Sequence, residues 1–216
     1  MPRVHKIPAA LAMMLVAAQA APAYEHPLET HSIREAYFLG NRKDEKAAKF
    51  LAQYVKHLPV PKKGPHVAEI ELLTPYAQVV LRAFRAPGSS SAQQAEQDYA
   101  AQPDRILVRV RINLTPTYPG YIAGQGGVRE RPPEFWRDFT FNLTQGKATI
   151  APKKISGQPI YESPFQAAPP LAGALQGAEV RLEFDTAQIA SEPVRIEVLT
   201  PDGQSVEAEF DLKDLQ

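Results

Sequence analysis

Arg105-Ile106-Leu107-Val108-Arg109-Val110-Arg111-Ile112-Asn113-Leu114 decides the fold of this chain. Ile106, Val108, Val110, Ile112 and Leu114 occupy every second position, with Arg109, Arg111 and Asn113 between them. Successive side chains of a strand point to opposite faces, so this run buries one face and wets the other. One-sided burial belongs to antiparallel sheet, because strands of a parallel sheet are covered on both faces.

The same period of two recurs on either side. Ala68, Ile70 and Leu72 alternate with Glu69 and Glu71; Pro75 interrupts the run, and Val79, Leu81 and Ala83 resume it. Toward the C-terminus, Phe135–Leu143 and Ala148–Ile150 flank Thr144-Gln145-Gly146-Lys147, a hairpin signal. Val180, Leu182 and Phe184 alternate with Arg181, Glu183 and Asp185, and Val194, Ile196 and Val198 alternate with Arg195 and Glu197. Asp202-Gly203 then turns the chain into Val206–Leu212, and an Asp-Gly step favours the tight turn of a hairpin. Leu-Thr-Pro closes three of these runs, at 73–75, 114–116 and 199–201, where proline cannot donate to the next rung. Residues 156–177 are rich in Pro, Gly and Ala and read as loop.

Helical period is confined to shorter stretches. Ser32-Ile33-Arg34-Glu35 fits a capping box, with a helix from Ile33 to Leu39 stopped at Gly40. Asn41 can cap a second helix, whose apolar side is Ala47, Phe50, Leu51, Tyr54, Val55 and Leu58, ended by Pro59 and Pro61. Ser91 opens a short helix over 92–101, closed by Pro103. About eight short strands between turn signals predict a mainly β chain: an antiparallel β-sandwich over 63–216, preceded by a two-helix segment over 24–62. The sandwich resembles the immunoglobulin-like architecture; a flattened barrel is the competing arrangement. The chain has no cysteine pair around a tryptophan, so the resemblance is architectural and implies no functional residue.

Residues 1–23 read as a secretory signal peptide. A basic start (Arg3, His5, Lys6) precedes an apolar run from Ile7 to Ala18, then Ala-Gln-Ala and Ala-Pro-Ala. Cleavage is expected after Ala23, or after Ala20, which places the protein in the periplasm or outside the cell. The apolar run is shorter than the roughly 20 residues that span a bilayer. No later run approaches that length, so no integral membrane segment is expected after cleavage.

Composition excludes several classes. Cleavage at 23 removes Arg3 and Lys6 and no acid, leaving 22 basic against 24 acidic residues of the 24 and 24 in the full chain. That balance does not suit nucleic acid, which needs a clustered basic excess. The absence of cysteine removes thiolate chemistry, disulfides and lipid attachment through cysteine, so buried apolar area must supply the stability. No Gly-x-Ser-x-Gly, Ser-x-x-Lys or His-Glu-x-x-His occurs. His26 and His31 lie among Glu25, Glu29 and Glu35, but across a proline and a helix start rather than on one helical face. Gly124-Gln125-Gly126-Gly127 lacks the lysine and the strand-to-helix setting of a phosphate loop. No metal or cofactor is expected. Asn113-Leu114-Thr115 and Asn142-Leu143-Thr144 match the glycosylation pattern but fall in strands.

The many strand acids (Glu69, Glu71, Glu183, Glu197, Glu207, Glu209) are expected to pair across strands with Arg109, Arg111, Arg181 and Arg195. The remaining feature is the connection at 115–136, of which 115–134 reads as structureless. It carries Tyr118, Tyr121, Arg129, Arg131 and Trp136, side-chain types that dominate binding hot spots. The expected function is an exported, non-catalytic binding or accessory protein of the cell envelope. Recognition runs through this loop, toward an envelope protein or a polysaccharide. Two alternatives stand: a secreted hydrolase working through two carboxylates, and a structural subunit of an envelope assembly joined by edge-strand addition.

Overall fold

A computed structural model describes residues 24–102, 104–124, 127–162 and 174–216. The signal-peptide expectation falls on residues outside that set. Along the chain, α1 (Thr30–Asn41) and α2 (Glu45–Ala52) lead to β1 (Val55–His57) and β2 (His66–Leu73). Then come α3 (Pro75–Arg85), α4 (Ala92–Ala100), β3 (Arg105–Asn113), β4 (Tyr121–Gly124) and β5 (Gly127–Glu130). A 3-10 turn at Phe135–Asp138 precedes β6 (Thr140–Gln145), β7 (Ala148–Ile150) and β8 (Lys154–Tyr161). The chain continues with β9 (Leu175–Asp185), β10 (Pro193–Leu199) and β11 (Ser205–Asp211). The protein is mainly β, with antiparallel sheets and four α-helices among the described residues.

β3 sits at the centre of a five-stranded sheet in the order β1-β2-β3-β9-β8. Its register explains the alternation. Ile70, Val110 and Val180 form one row, and Leu72, Val108 and Leu182 the next, all fully buried. Each such aliphatic side chain contributes about 1.5–3 kcal/mol of burial. The intervening rows, Glu71-Arg109-Arg181 and Glu69-Arg111-Glu179, turn to the other face. A four-stranded sheet in the order β11-β10-β6-β7 sets Leu143 opposite Ile196 and Phe210 opposite Val194. The buried side chains of both sheets belong to one apolar cluster.

The helices build a second apolar cluster. Ile33, Ala36 and Tyr37 of α1 meet Tyr76, Val80 and Ala83 of α3 and Ala95 of α4. α1 and α3 cross at Gly40, where an added Cβ would stand 2.1 Å from the Val80 carbonyl oxygen. Gly40 is thus a crossing residue inside a helix and not the left-handed stop its position suggests.

Several local expectations are corrected. Residues 75–85 form a helix and not a resumed strand. Thr74 Oγ1 accepts from the Ala77 amide at 3.2 Å, and Pro75 occupies the first turn, where its missing donor is harmless. Val79, Leu81 and Ala83 are spaced by two, but the buried set Tyr76, Ala77, Val80 and Ala83 has helical spacing. α1 begins at Thr30, because Ser32 donates to Glu25 at 3.1 Å instead of capping. α2 is capped by Asp44 and ends at Ala52; beyond it the Leu72 amide donates to the Tyr54 carbonyl, drawing Val55–His57 onto the sheet edge. The stretch at 156–177 contains most of β8 and the start of β9. β8 is an edge strand, which is where Pro159 is tolerated. Among the described residues no helix is long and apolar enough to cross a membrane.

Candidate functional site

The connection from β3 to β6 is ordered from its base upward. Thr115 and Tyr118 exchange backbone hydrogen bonds at 3.2 and 3.0 Å around Pro116. Thr115 Oγ1 donates to the Gly64 carbonyl at 2.6 Å, and the Gly64 amide donates to Thr117 Oγ1 at 2.9 Å. This clamp requires glycine at 64, whose φ is +83° and whose Cβ would collide with Asp202. The turn is therefore fastened to the segment before β2, and it fixes where the rest of the connection starts.

Beyond the clamp the chain makes a two-stranded hairpin and not an irregular loop. β4 and β5 pair with Tyr121 opposite Glu130 and Ala123 opposite Val128. Arg131 ties its foot: the amide donates to Gly120 O at 2.7 Å and Nε donates to Pro119 O at 2.9 Å. The Arg131 guanidinium lies 3.6 Å from the centre of the Tyr118 ring, which packs at 6.3 Å from Phe135. Burial raises the Tyr118 phenol pKa, and the Arg131 charge opposes that rise. A cation over a partly buried aromatic contributes about 0.5–1 kcal/mol. Tyr118 and Arg131 thus belong to the foot of the hairpin.

The five residues singled out in the sequence separate into three environments. Tyr118 and Arg131 are half-buried at the foot. Tyr121 and Arg129 are exposed, Tyr121 at 52%. Trp136 is in the core: it is 8% exposed and lies against β8, where an added Cβ on Gly157 would fall 2.2 Å from the indole ring. The structure does not bring Trp136 together with Tyr121 and Arg129. Val128, not singled out from sequence, is 74% exposed. The hairpin register puts it on the same face as Tyr121, with Ile122 and Arg129 on the other. The signal that could have found it is the four-residue run Gly127–Glu130 after the glycine cluster, a strand following a turn.

The carboxylates are held in ion pairs and hydrogen bonds. Glu71, 6% exposed, is bridged to Arg109; Glu183 faces Arg105 at 3.7 Å; Arg195 takes both Glu207 and Glu209. Partner choice differs from expectation elsewhere. Glu69 meets His57 at 3.5 Å, Arg181 meets Glu179 at 2.8 Å, and Glu197 accepts from Ser205 and Asn142. Burial raises the Glu71 pKa, with the Arg109 charge acting against it. His31 approaches Glu35 at 3.9 Å; among the described residues no group of three or more histidine and acidic side chains is placed to hold a metal.

No protein-family model matches the sequence, and no curated protein is detectably similar to it.

Proposed function

We propose that this is an exported, non-catalytic binding or accessory protein of the cell envelope that recognises a protein partner through the β4–β5 hairpin. The observation that carries the reading is the face of that hairpin. Tyr121 and Val128 are exposed on one face, diagonal to each other across two strands whose foot is clamped by Thr115, Tyr118 and Arg131. A rigid foot lowers the ordering cost of binding, and an exposed aromatic beside an aliphatic suits an apolar contact on a protein. An exposed valine offers a polysaccharide hydroxyl no hydrogen bond, which places the sugar alternative second.

The rest of the reading follows the chain. Residues 1–23 supply the export signal. Tyr24, the residue after Ala23, is already part of the fold: its side chain is buried and its amide donates to Leu215 O at 2.9 Å. The two sheets around the shared core are read as an antiparallel sandwich of immunoglobulin-like architecture, with the hairpin carried on one connection. The hydrolase alternative loses ground because Glu71, whose pKa burial raises, is tied into an ion pair with Arg109.

The test is affinity capture from the protein's own cell envelope with wild-type bait and with Tyr121→Ala/Val128→Ser. The double variant is expected to lose the captured partner while its thermal midpoint stays within about 1 °C, since both side chains are exposed. Undiminished capture would remove the hairpin from recognition.

A further inference from the structure

α3 crosses the outer face of the five-stranded sheet, and a cleft of about 430 Å³ opens between helix and sheet. That volume lies in the roughly 300–1,000 Å³ range of small-molecule sites. From the helix, Gln78, Leu81, Arg82 and Arg85 line it, at i, i+3, i+4 and i+7. Gln78 Nε2 donates to the carbonyls of Leu73 at 3.1 Å and Arg105 at 2.8 Å, which pins the first turns of α3 over that end of the sheet. Two turns on, Arg85 comes within Coulombic reach of Arg109 and Arg181. Leu73, Leu81 and Leu107 give the cleft an apolar middle.

The charges do not balance. Among the described residues no carboxylate lines the cleft. The acids that serve its arginines lie outside it: Glu71 on Arg109, Glu179 on Arg181, Glu183 on Arg105 and Asp98 on Arg82. Arg85 has no acidic partner among the described residues. Partial desolvation and the neighbouring Arg109 and Arg181 charges lower its pKa, with Glu71 and Glu179 acting against them from outside the cleft. Arg105 Nε is buried without a hydrogen-bond partner. Arg85 is exposed, so its guanidinium donors are open to a ligand that enters the cleft.

We propose that this cleft binds a small amphiphilic anion: a carboxylate or phosphate head received by Arg85, Arg109 and Arg181, on a short apolar body lying over Leu73, Leu81 and Leu107. Arg85 can present two parallel N–H donors to such a head, while Arg109 and Arg181, whose Nε and Nη2 hold Glu71 and Glu179, add Nη1 donors and charge. Among the described residues no aromatic side chain lines the cleft, so they offer a nucleobase or sugar no ring to stack on. The site stands on different residues from the hairpin, and neither reading depends on the other.

Isothermal titration calorimetry of the purified protein tests it, with decyl phosphate, decanoate, inorganic phosphate and decyltrimethylammonium, each below its micelle concentration. At least one of the two chain-bearing anions is expected to bind saturably, and the tighter one identifies the head. Inorganic phosphate should bind at least about tenfold more weakly, and the cation not at all. Arg85→Ala should weaken the anion about tenfold or more, the loss of one charge-assisted contact. Ala86→Glu, at an exposed lining position, should do the same without removing a native contact. Arg111→Ala, on the same sheet face but outside the cleft, should change nothing. The proposal is overturned if neither anion binds saturably, if the cation binds as well, or if free phosphate matches decyl phosphate. It is equally overturned if Arg85→Ala and Ala86→Glu both leave the affinity intact, or if Arg111→Ala weakens it as much as they do.

Discussion

Replacing Gly40 with alanine sets two effects of opposite sign against each other. Inside a helix, alanine is better than glycine by about 0.5–1 kcal/mol, so an uncrowded Gly40 would make the variant more stable. The crossing reverses this. The new Cβ would stand 2.1 Å from the Val80 carbonyl oxygen and 2.9 Å from Ala83 Cβ. A carbon–oxygen contact of this kind needs about 3.3 Å, so the shortfall is about 1.2 Å. The obstacle is backbone, and no rotamer change removes it. α1 must lift from α3, loosening Ile33, Ala36 and Tyr37 against Val80 and Ala83. Overpacking costs about 1–3 kcal/mol, and an immovable backbone clash of this depth belongs to the upper part, about 2–3 kcal/mol, leaving a net loss of about 1–2.5 kcal/mol after the gain in propensity. For a chain of this size that is a fall in Tm of about 2–10 °C. Differential scanning calorimetry and urea midpoints measure it. Gly40→Asn separates the crossing from a left-handed helix stop: a stop tolerates asparagine, whereas the crossing makes it worse than alanine. A Gly40→Ala protein as stable as its parent would refute the contact between the two helices.

Two further predictions rest on other parts of the fold. Gly157→Ala should drive its Cβ into the indole of Trp136, shift the fluorescence of this only tryptophan to the red, and cost about 1–3 kcal/mol; unchanged emission and stability would separate Trp136 from β8. Glu197 accepts from Ser205 Oγ at 2.8 Å and from Asn142 Nδ2 at 3.2 Å, and these bonds hold its carboxyl below the usual range. The folded form therefore takes up this proton at lower pH than the unfolded chain. The contribution is present above the ordinary carboxyl pKa of about 4.3 and is lost as pH falls through the folded value. Glu197→Gln should flatten the acid side of a plot of urea midpoint against pH, and an unaltered acid limb would contradict the bonding.

What could be read from the sequence was decided by whether one element's own pattern carried the information. β3 could be read because Ile106, Val108, Val110 and Ile112 needed no knowledge of their neighbours to show a buried face, and all four are fully buried. Residues 75–85 could not be read this way. Val79, Leu81 and Ala83 satisfy a period of two, while Tyr76, Val80 and Ala83 satisfy a helical spacing, and both patterns share Ala83. The tie is broken by Thr74-Pro75, a cap followed by a residue suited to a first turn, rather than by hydrophobicity. Misreading that helix also hid the cleft, since Gln78, Leu81, Arg82 and Arg85 share a face only if the chain turns every 3.6 residues.

The charge surplus of the cleft has a second, tertiary origin. Arg109 and Arg181 are 72 positions apart in sequence and become neighbours only through the pairing of β3 with β9. Two arginines in register repel unless something negative lies near both. Glu71 answers Arg109 and Glu179 answers Arg181, so the row is neutral before α3 is added. α3 then brings Arg85 over this balanced row and adds one more cation. A strand face can be read as an ion-pair ladder from composition alone. The surplus arises only from laying a helix across it, which is why the unbalanced charge belongs to the tertiary fold and to no single segment of the chain.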